Sequence, residues 1–428
     1  MLSYFKKYGW AVALLVLLLP VACHEVEQPR TQTHKRHVMV MIAGGRNNLA
    51  SYIREDMKTL GESTLPVGKY DAEDALLVLS RVNELGKSNN QPCLTALYHL
   101  YQDAEGNVHR DTLKTWGGFT PLFGETTLHD ALLFVKEQFP SDSYGLVLSS
   151  HSSGWLPAEY YLDPTAYETS HPLDPETPVP ARRLANVPKE VFPPIEDWPA
   201  VKSVGQDVDK DVALEMELQE FCEAIPYKMD YILMDACLNG CVEVAWALRD
   251  KADFVGLSPT EVLADGFDYT LLTSRLLQEK PDPEAVCRDY MAQYWDDSQT
   301  PWATITLVDT RELPALAQVC RELFETYREG LRVLDGHRVQ PYFRFERHFF
   351  YDLRHMMEEV GATEEELSAL DAALEACIPY KAVTEMFFSI PMQHCCGLSM
   401  YLPSMGSAVL DHHYKTSIDW NTATQLVK

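Results

Sequence analysis

Positive charge is what this chain has least of. Its 428 residues set 36 Lys and Arg against 63 Asp and Glu, a formal net charge of -27 with the histidines neutral, and no stretch gathers the cations into a basic patch. Phosphate binding needs Lys and Arg to neutralise the backbone and release counterions, so nucleic acid is a poor partner. Long hydrophobic runs are scarce too. The apolar run from Trp10 to Val21 is short of the roughly 20 residues that span a bilayer as a helix. Zinc-type cysteine pairs are missing: Cys395 and Cys396, beside His394, have no second pair at ligand spacing. Nothing in the spacing of the ten cysteines demands disulfides, and Cys222, Cys287, Cys320 and Cys377 fall in helix-like patterns where a free cysteine acts as a small buried hydrophobe. An EF-hand is absent as well. The acidic stretch at Asp207, Asp209 and Asp211 lacks the turn glycine and terminal Glu of that loop, so a calcium ion has no site that the sequence locates.

What is present begins with an address. Lys6 and Lys7 precede the short apolar run, the charged and apolar regions of an export signal over residues 1–22. The run ends in LPVAC, with Cys23 directly after Ala22, which resembles a bacterial lipoprotein signal whose cysteine is lipidated. Pro20 stands where Leu is usual, so simple secretion is the alternative. Residues 23–36 are polar and read as a tether. An exported chain meets an oxidising compartment, where disulfides are permitted.

Two stretches organise the rest, YGLVLSSHSSGW (Tyr144 to Trp155) and YILMDACLNG (Tyr231 to Gly240). Each reads as a strand buried on both faces that ends on a reactive side chain, His151 in one and Cys237 in the other. Around them, strands at Val38 to Ala43, Ala75 to Val82 and Cys93 to Tyr101 alternate with helical patterns after Asn47 and Asn48, which are placed to cap, and after Thr126 and Thr127. The expectation is an α/β fold with a layered, mostly parallel sheet. Residues 156–205 hold ten of the 26 prolines and the dibasic pair Arg182-Arg183, and read as an exposed loop. Helical pattern resumes over Asp211 to Ile225. Beyond about residue 280 helices dominate, with a terminal strand pair. The chain divides into a sheet-rich part, 37–280, and a mainly helical part, 281–428.

A cysteine attacks a carbonyl as thiolate, and a neighbouring histidine takes its proton. His151 and Cys237 meet that requirement if their strands are neighbours, because open sheets place working groups beyond the carboxyl ends of strands. Ser153, Gly154 and Trp155 follow the histidine in a turn that can aim backbone N–H groups at a substrate oxygen. Asp235, two residues before Cys237, shares its side of the strand. A carboxylate there selects Arg or Lys by a charge-assisted hydrogen bond.

These residues resemble the clostripain family of cysteine peptidases, in the caspase-like clan. The matching pieces are NNL from Asn47, HSSGW from His151, GQD from Gly205, the segment from Asp235 to Tyr269, TITLVDTRELPAL from Thr304 and GLSMYLP from Gly397. The resemblance implies a caspase-like αβα sandwich, His151 and Cys237 as catalytic pair, and an oxyanion hole from the backbone N–H groups of Ser152 and Cys237. It implies a pocket for a basic side chain lined by Asp235 and Asp265, and activation by cleavage between histidine and cysteine, where Arg182 and Arg183 lie. Some relatives depend on calcium. Two positions depart from the family pattern, Ser152 where Gly is usual and Asn239 where an apolar residue is common. A serine forced to φ > 0 costs on the order of 1 kcal/mol, and would displace an oxyanion donor. The expected function is an exported endopeptidase cutting protein or peptide substrates after Arg or Lys, held at a membrane by a lipid on Cys23. The competing expectation is an inactive surface lipoprotein of the same fold that binds peptides or protein partners.

Overall fold

The structure is a computed structural model and describes residues 34–85, 87, 91–158, 160–162, 164–169, 207–209, 212–296, 300–345 and 347–428. Strand β1 (Val38–Gly45) is buried at every position, as a continuous run of Val, Met, Ile, Ala and Gly must be when both faces are covered. Helix α1 (Ala50–Glu62) leads to β2 (Ala75–Val82), which pairs parallel with β1. The hairpin of β3 (Ala96–Gln102) and β4 (Val108–Thr115) extends this side antiparallel. Helix α2 (Glu125–Gln138) returns the chain to the other flank of β1, where β5 (Tyr144–Ser149) pairs parallel.

A short hairpin, β6 (Asp207–Asp209) and β7 (Val212–Leu214), and helix α3 (Leu218–Ala224) precede β8 (Met229–Asp235). Next come α4 (Val242–Ala247), β9 (Ala252–Leu257), α5 (Leu272–Leu276), α6 (Pro283–Asp296), β10 (Thr304–Asp309) and α7 (Leu313–Leu331). The chain continues through β11 (Tyr351–Asp352), α8 (Leu353–Glu359), α9 (Glu364–Cys377), β12 (Tyr380–Val383), β13 (Met386–Phe387), β14 (Ile390–Pro391), β15 (Ser399–Met400), α10 (Ala408–Ser417) and α11 (Asp419–Thr424).

Nine strands form one sheet in the order β12-β10-β9-β8-β5-β1-β2-β3-β4. The middle five run parallel, and two antiparallel strands close each side. The step from β1 to β2 goes one way and the steps from β5 to β8 and β9 go the other, so right-handed crossovers put helices on opposite faces. Helix α1 packs on β1 and β2, while α2, α3, α4, α11, α7 and α9 touch in succession on the other face. The result is the αβα sandwich expected, and the reversal of direction falls between β1 and β5. Strands β10 and β12 come from beyond residue 280 yet belong to this sheet, and the described residues fall within one compact unit. The change near residue 280 is therefore one of composition, with packing continuous across it.

The helix expected over Asp211 to Ile225 is shorter than its pattern suggested. Val212–Leu214 is a strand, and α3 begins only after Glu217, where a capping box with Glu220 starts it. Val212, Leu214 and Met216 alternate with polar or small residues, which is strand periodicity and outweighs the helical reading. Among the described residues no helix is long and apolar enough to cross a membrane.

Candidate active site

Ser149 and Asp235, the last residues of β5 and β8, are register partners on adjacent parallel strands. His151 and Cys237 each stand two residues further on. With strands about 4.8 Å apart, the two residues leave the carboxyl edge of the sheet at neighbouring points, beside the reversal of strand order where open α/β sheets bind ligands.

His151 is buried, and its Nε2 lies 2.6 Å from Asn48 Oδ1. An amide oxygen only accepts, so Nε2 carries the proton and Nδ1 holds the lone pair of the neutral ring. Asn48 does not cap α1. The turn into that helix is held by Asn47, whose Oδ1 accepts the Leu49 N–H at 2.9 Å and whose Nδ2 donates to Gly44 O at 3.2 Å. Four residues after the histidine, Trp155 is fully buried against Tyr401 and Tyr414, with ring centroids 4.8 and 5.1 Å away. The loop after β5 is thus pinned by residues near the other end of the chain.

Cys237 is fully buried. Its Sγ accepts the Val262 N–H at 3.0 Å and lies 3.6 Å from the Val262 carbonyl oxygen, so the segment after β9 runs directly over the sulfur. Leu238 has φ of +60°, a left-handed conformation that costs an L-residue roughly 1–2 kcal/mol. It is held there by backbone bonds from Leu238 N to Thr260 O (2.9 Å) and from Gly240 N to Ser258 O (2.7 Å). A Cβ on Gly240 would sit 2.2 Å from Pro259 N, so only glycine admits this approach. The covering segment is anchored in turn by Glu261, whose two carboxylate oxygens accept from Arg344 Nε at 2.9 and 3.2 Å. Both side chains are buried, at 0% and 7% exposure.

The two departures from the family pattern touch each other. Ser152 Oγ donates to Asn239 Oδ1 at 2.9 Å. Ser152 is not among the residues with positive φ, so the expected strain is absent; left-handed backbone falls at Gly154 (φ +65°) instead. A Cβ there would meet Leu238 O at 2.5 Å.

Asp235 and Asp265 occupy different depths. Asp265 is exposed and lines an open cleft of about 480 Å³ together with Tyr52, Glu55, Asp56, Asp268 and Tyr269. Asp235 is fully buried, and its Oδ2 accepts from the Tyr269 hydroxyl at 2.8 Å. Burial, and after it the carboxylates of Asp235 and Asp56, push the Tyr269 phenol well above its ordinary range, so the hydroxyl remains a donor. Asp56 Oδ2 accepts from Ser149 Oγ at 3.0 Å. The cleft is acidic and aromatic, the chemistry that suits a guanidinium or ammonium group.

Behind the loop that carries Cys237, Glu243 on α4 is buried and accepts the Tyr401 N–H at 2.9 Å and the Tyr414 hydroxyl at 2.8 Å. Burial pushes its carboxyl up to about 7, against the opposing pull of those bonds.

Among the described residues, His355, Glu358 and His394 place potential ligand atoms within 4.8 Å of one another. They do not suit a metal ion. His355 Nδ1 accepts the Gln340 N–H at 3.0 Å, which leaves the proton on Nε2, whereas a metal-bound histidine donates from its second nitrogen. The His355 and His394 rings also lie stacked, 3.6 Å apart and 5° from parallel, so their in-plane lone pairs do not converge. Cys23, Arg182, Arg183 and Asp211, and the side chains of Asp207 and Asp209, lie outside the described residues.

Sequence reasoning missed Asn48 as the histidine's partner, Val262 as the cover of the cysteine, and Arg344 as the anchor of that cover. The Asn47-Asn48 doublet was a signal for the first. Arg344 and Glu261 are 83 residues apart, and no local pattern connects them.

The family model described as the clostripain family matches residues 194–377. No curated protein matches the chain. Among solved structures, an inactive zymogen C11 protease from Parabacteroides distasonis is similar at 25% identity with a TM-score of 0.68, over 92% of this chain and 99% of that one. A secreted C11 cysteine protease from Bacteroides thetaiotaomicron is similar at 20% identity with a TM-score of 0.69, over 92% and 100%. The same kind of protease from that organism, in complex with an irreversible peptide inhibitor, is similar at 21% identity and a TM-score of 0.69, over 91% and 98%. The last two share the fold.

Proposed function

From the match of residues 194–377 to the model of the clostripain family of cysteine peptidases, we propose an endopeptidase that cleaves after Arg or Lys through Cys237 and His151. The observation that carries this reading is the register of β5 and β8, which brings the two residues off adjacent strand ends. His151 Nδ1 takes the thiol proton, and the sulfur attacks the scissile carbonyl carbon. The resulting oxyanion accepts from the backbone N–H groups of Ser152 and Cys237. Collapse breaks the C–N bond, and the departing amine takes the proton from His151. Water then attacks the thioester with the histidine again as base, and the thiol is restored. Asp265 and the acidic cleft beside it support a basic side chain before the scissile bond, with Asp235 behind Tyr269 contributing negative field.

One observation favours a latent form in the conformation described: the nucleophile is fully buried under Val262. Self-cleavage at Arg182-Arg183 is the activation step we propose. Export through residues 1–22 and lipidation of Cys23 remain part of the reading.

The test is turnover of fluorogenic Arg, Lys and Asp peptides by residues 24–428, with and without calcium, beside Cys237→Ala. Cleavage after Arg or Lys, lost by at least about 10³-fold in the variant, and an intact 156–205 segment in Cys237→Ala alone, are expected. Preference for Asp, or equal activity in the variant, overturns the reading.

A further inference from the structure

We propose that Ser152 and Asn239 form a polar strut that sets the spacing of the two oxyanion donors, acting as a positioning pair in the reaction. The inference rests on the peptidase reading above. Ser152 Oγ donates to Asn239 Oδ1 at 2.9 Å and accepts the Gly154 N–H at 3.2 Å. Asn239 is 2% exposed, and its Nδ2 donates to Ala236 O at 3.3 Å. Each end therefore does two things. The serine closes the turn that follows the histidine, and the asparagine closes the turn that contains the cysteine.

The placement gives the bond its consequence. One donor is the N–H of Ser152 itself, and the other belongs to Cys237, whose preceding carbonyl, that of Ala236, is held by the same asparagine. Along this path the two N–H groups are joined by a single side-chain hydrogen bond across two separate loops. A second contact between the loops, Gly154 against Leu238 O, is packing without direction. A hydrogen bond fixes distance and angle where packing does not. Because oxyanion donors act only on the charge that develops in the transition state, disturbing the strut should change turnover and leave substrate binding alone.

The experiment is a double-mutant cycle with Ser152→Ala, Asn239→Ala and both together, with Ser152→Thr as the conservative variant. Steady-state kinetics use an Arg or Lys peptide, and thermal melts confirm folding. Removing a whole oxyanion donor costs about 10²–10³ in kcat, and a displaced one costs part of that. Each single variant is expected to lose roughly tenfold in kcat, with KM within about twofold and the double variant no worse than either single. Ser152→Thr, which keeps the hydroxyl, is expected to recover most of the loss. Should Asn239→Ala fail to fold, Ser152→Ala against Ser152→Thr decides alone, since both retain the backbone N–H. Unchanged kcat in Ser152→Ala overturns the strut, as do an effect confined to KM, a multiplicative loss in the double variant, or a threonine no better than alanine. A wild type silent on every peptide overturns the peptidase reading and the strut with it, and is distinguished by the absence of activity before any substitution.

Discussion

The loop that carries His151 and the loop that carries Cys237 leave adjacent strands at matching heights, yet they are held in opposite ways. His151 is oriented by a side chain from the turn after β1, the exposed Asn48. Cys237 sits in a turn with a left-handed leucine, under a backbone segment that a buried ion pair clamps down. The His151 ring is oriented by a hydrogen bond to an exposed side chain. Cys237 depends on a network that reaches the last hundred residues through Arg344. The difference teaches where each kind of damage shows: loosening the histidine should alter chemistry, and loosening the cysteine's cover should alter stability and access.

The comparison breaks most visibly at Arg344. Arg344→Met leaves the Glu261 carboxylate buried without its guanidinium, at a cost of about 3–5 kcal/mol, whereas replacing both partners, with Glu261→Gln added, recovers a large part. Urea unfolding measures both variants. A loss below about 1 kcal/mol in the single variant would show that the pair contributes no more than a surface salt bridge and that the cover is held by other contacts.

Glu243 sharpens the comparison from behind Cys237. Its folded-state carboxyl stands near 7 against an ordinary 4.5, so the folded protein holds this proton more tightly than the unfolded chain. Stability from this group is fully present below pH 4.5, falls as pH rises from 4.5 to about 7, and stays lower above that. The loss is on the order of 3 kcal/mol at 1.36 kcal/mol per unit. Glu243→Gln retains an oxygen for Tyr401 and Tyr414 and does not ionise. Relative to wild type it is expected to gain stability between pH 5 and pH 8, read from denaturant melts at the two values. A difference independent of pH would show that Glu243 is already charged in the folded state at pH 5.

The smallest free-energy change lies on the histidine side. Asn48→Ala removes the group that selects the tautomer, and a tenfold to hundredfold fall in kcat is expected, about 1.4–2.8 kcal/mol in activation free energy. Stability should stay within about 0.5 kcal/mol, as for an exposed residue. A variant with unchanged kcat would mean that the histidine's loop orients the ring unaided, and the contrast between the two loops would disappear.

Much of this arrangement was legible in the chain. Two apolar runs ending on His151 and Cys237 announced buried parallel strands, and Gly154 announced a turn. The motif around Cys237 carries the resemblance to the clostripain family, whose model matches residues 194–377. Where the reading failed, long-range pairing had overridden local pattern. Val212–Leu214 became a strand once paired with β6, and Asn48 left the helix cap for a histidine 103 residues away.

The sequence by itself determined the elements, the chemistry available at two strand ends and the acidic character of the surface, because periodicity and residue type act locally. Tertiary structure alone decided which groups meet. That Ser152 bonds Asn239, that Val262 covers the sulfur, that Asp235 lies behind Tyr269 while Asp265 lines the open cleft, and that Arg344 anchors Glu261 all follow from loops brought together by the register of a nine-stranded sheet. Such contacts carry no signature along the chain. They are set by packing between segments tens to hundreds of residues apart, where the physics is that of neighbours in space.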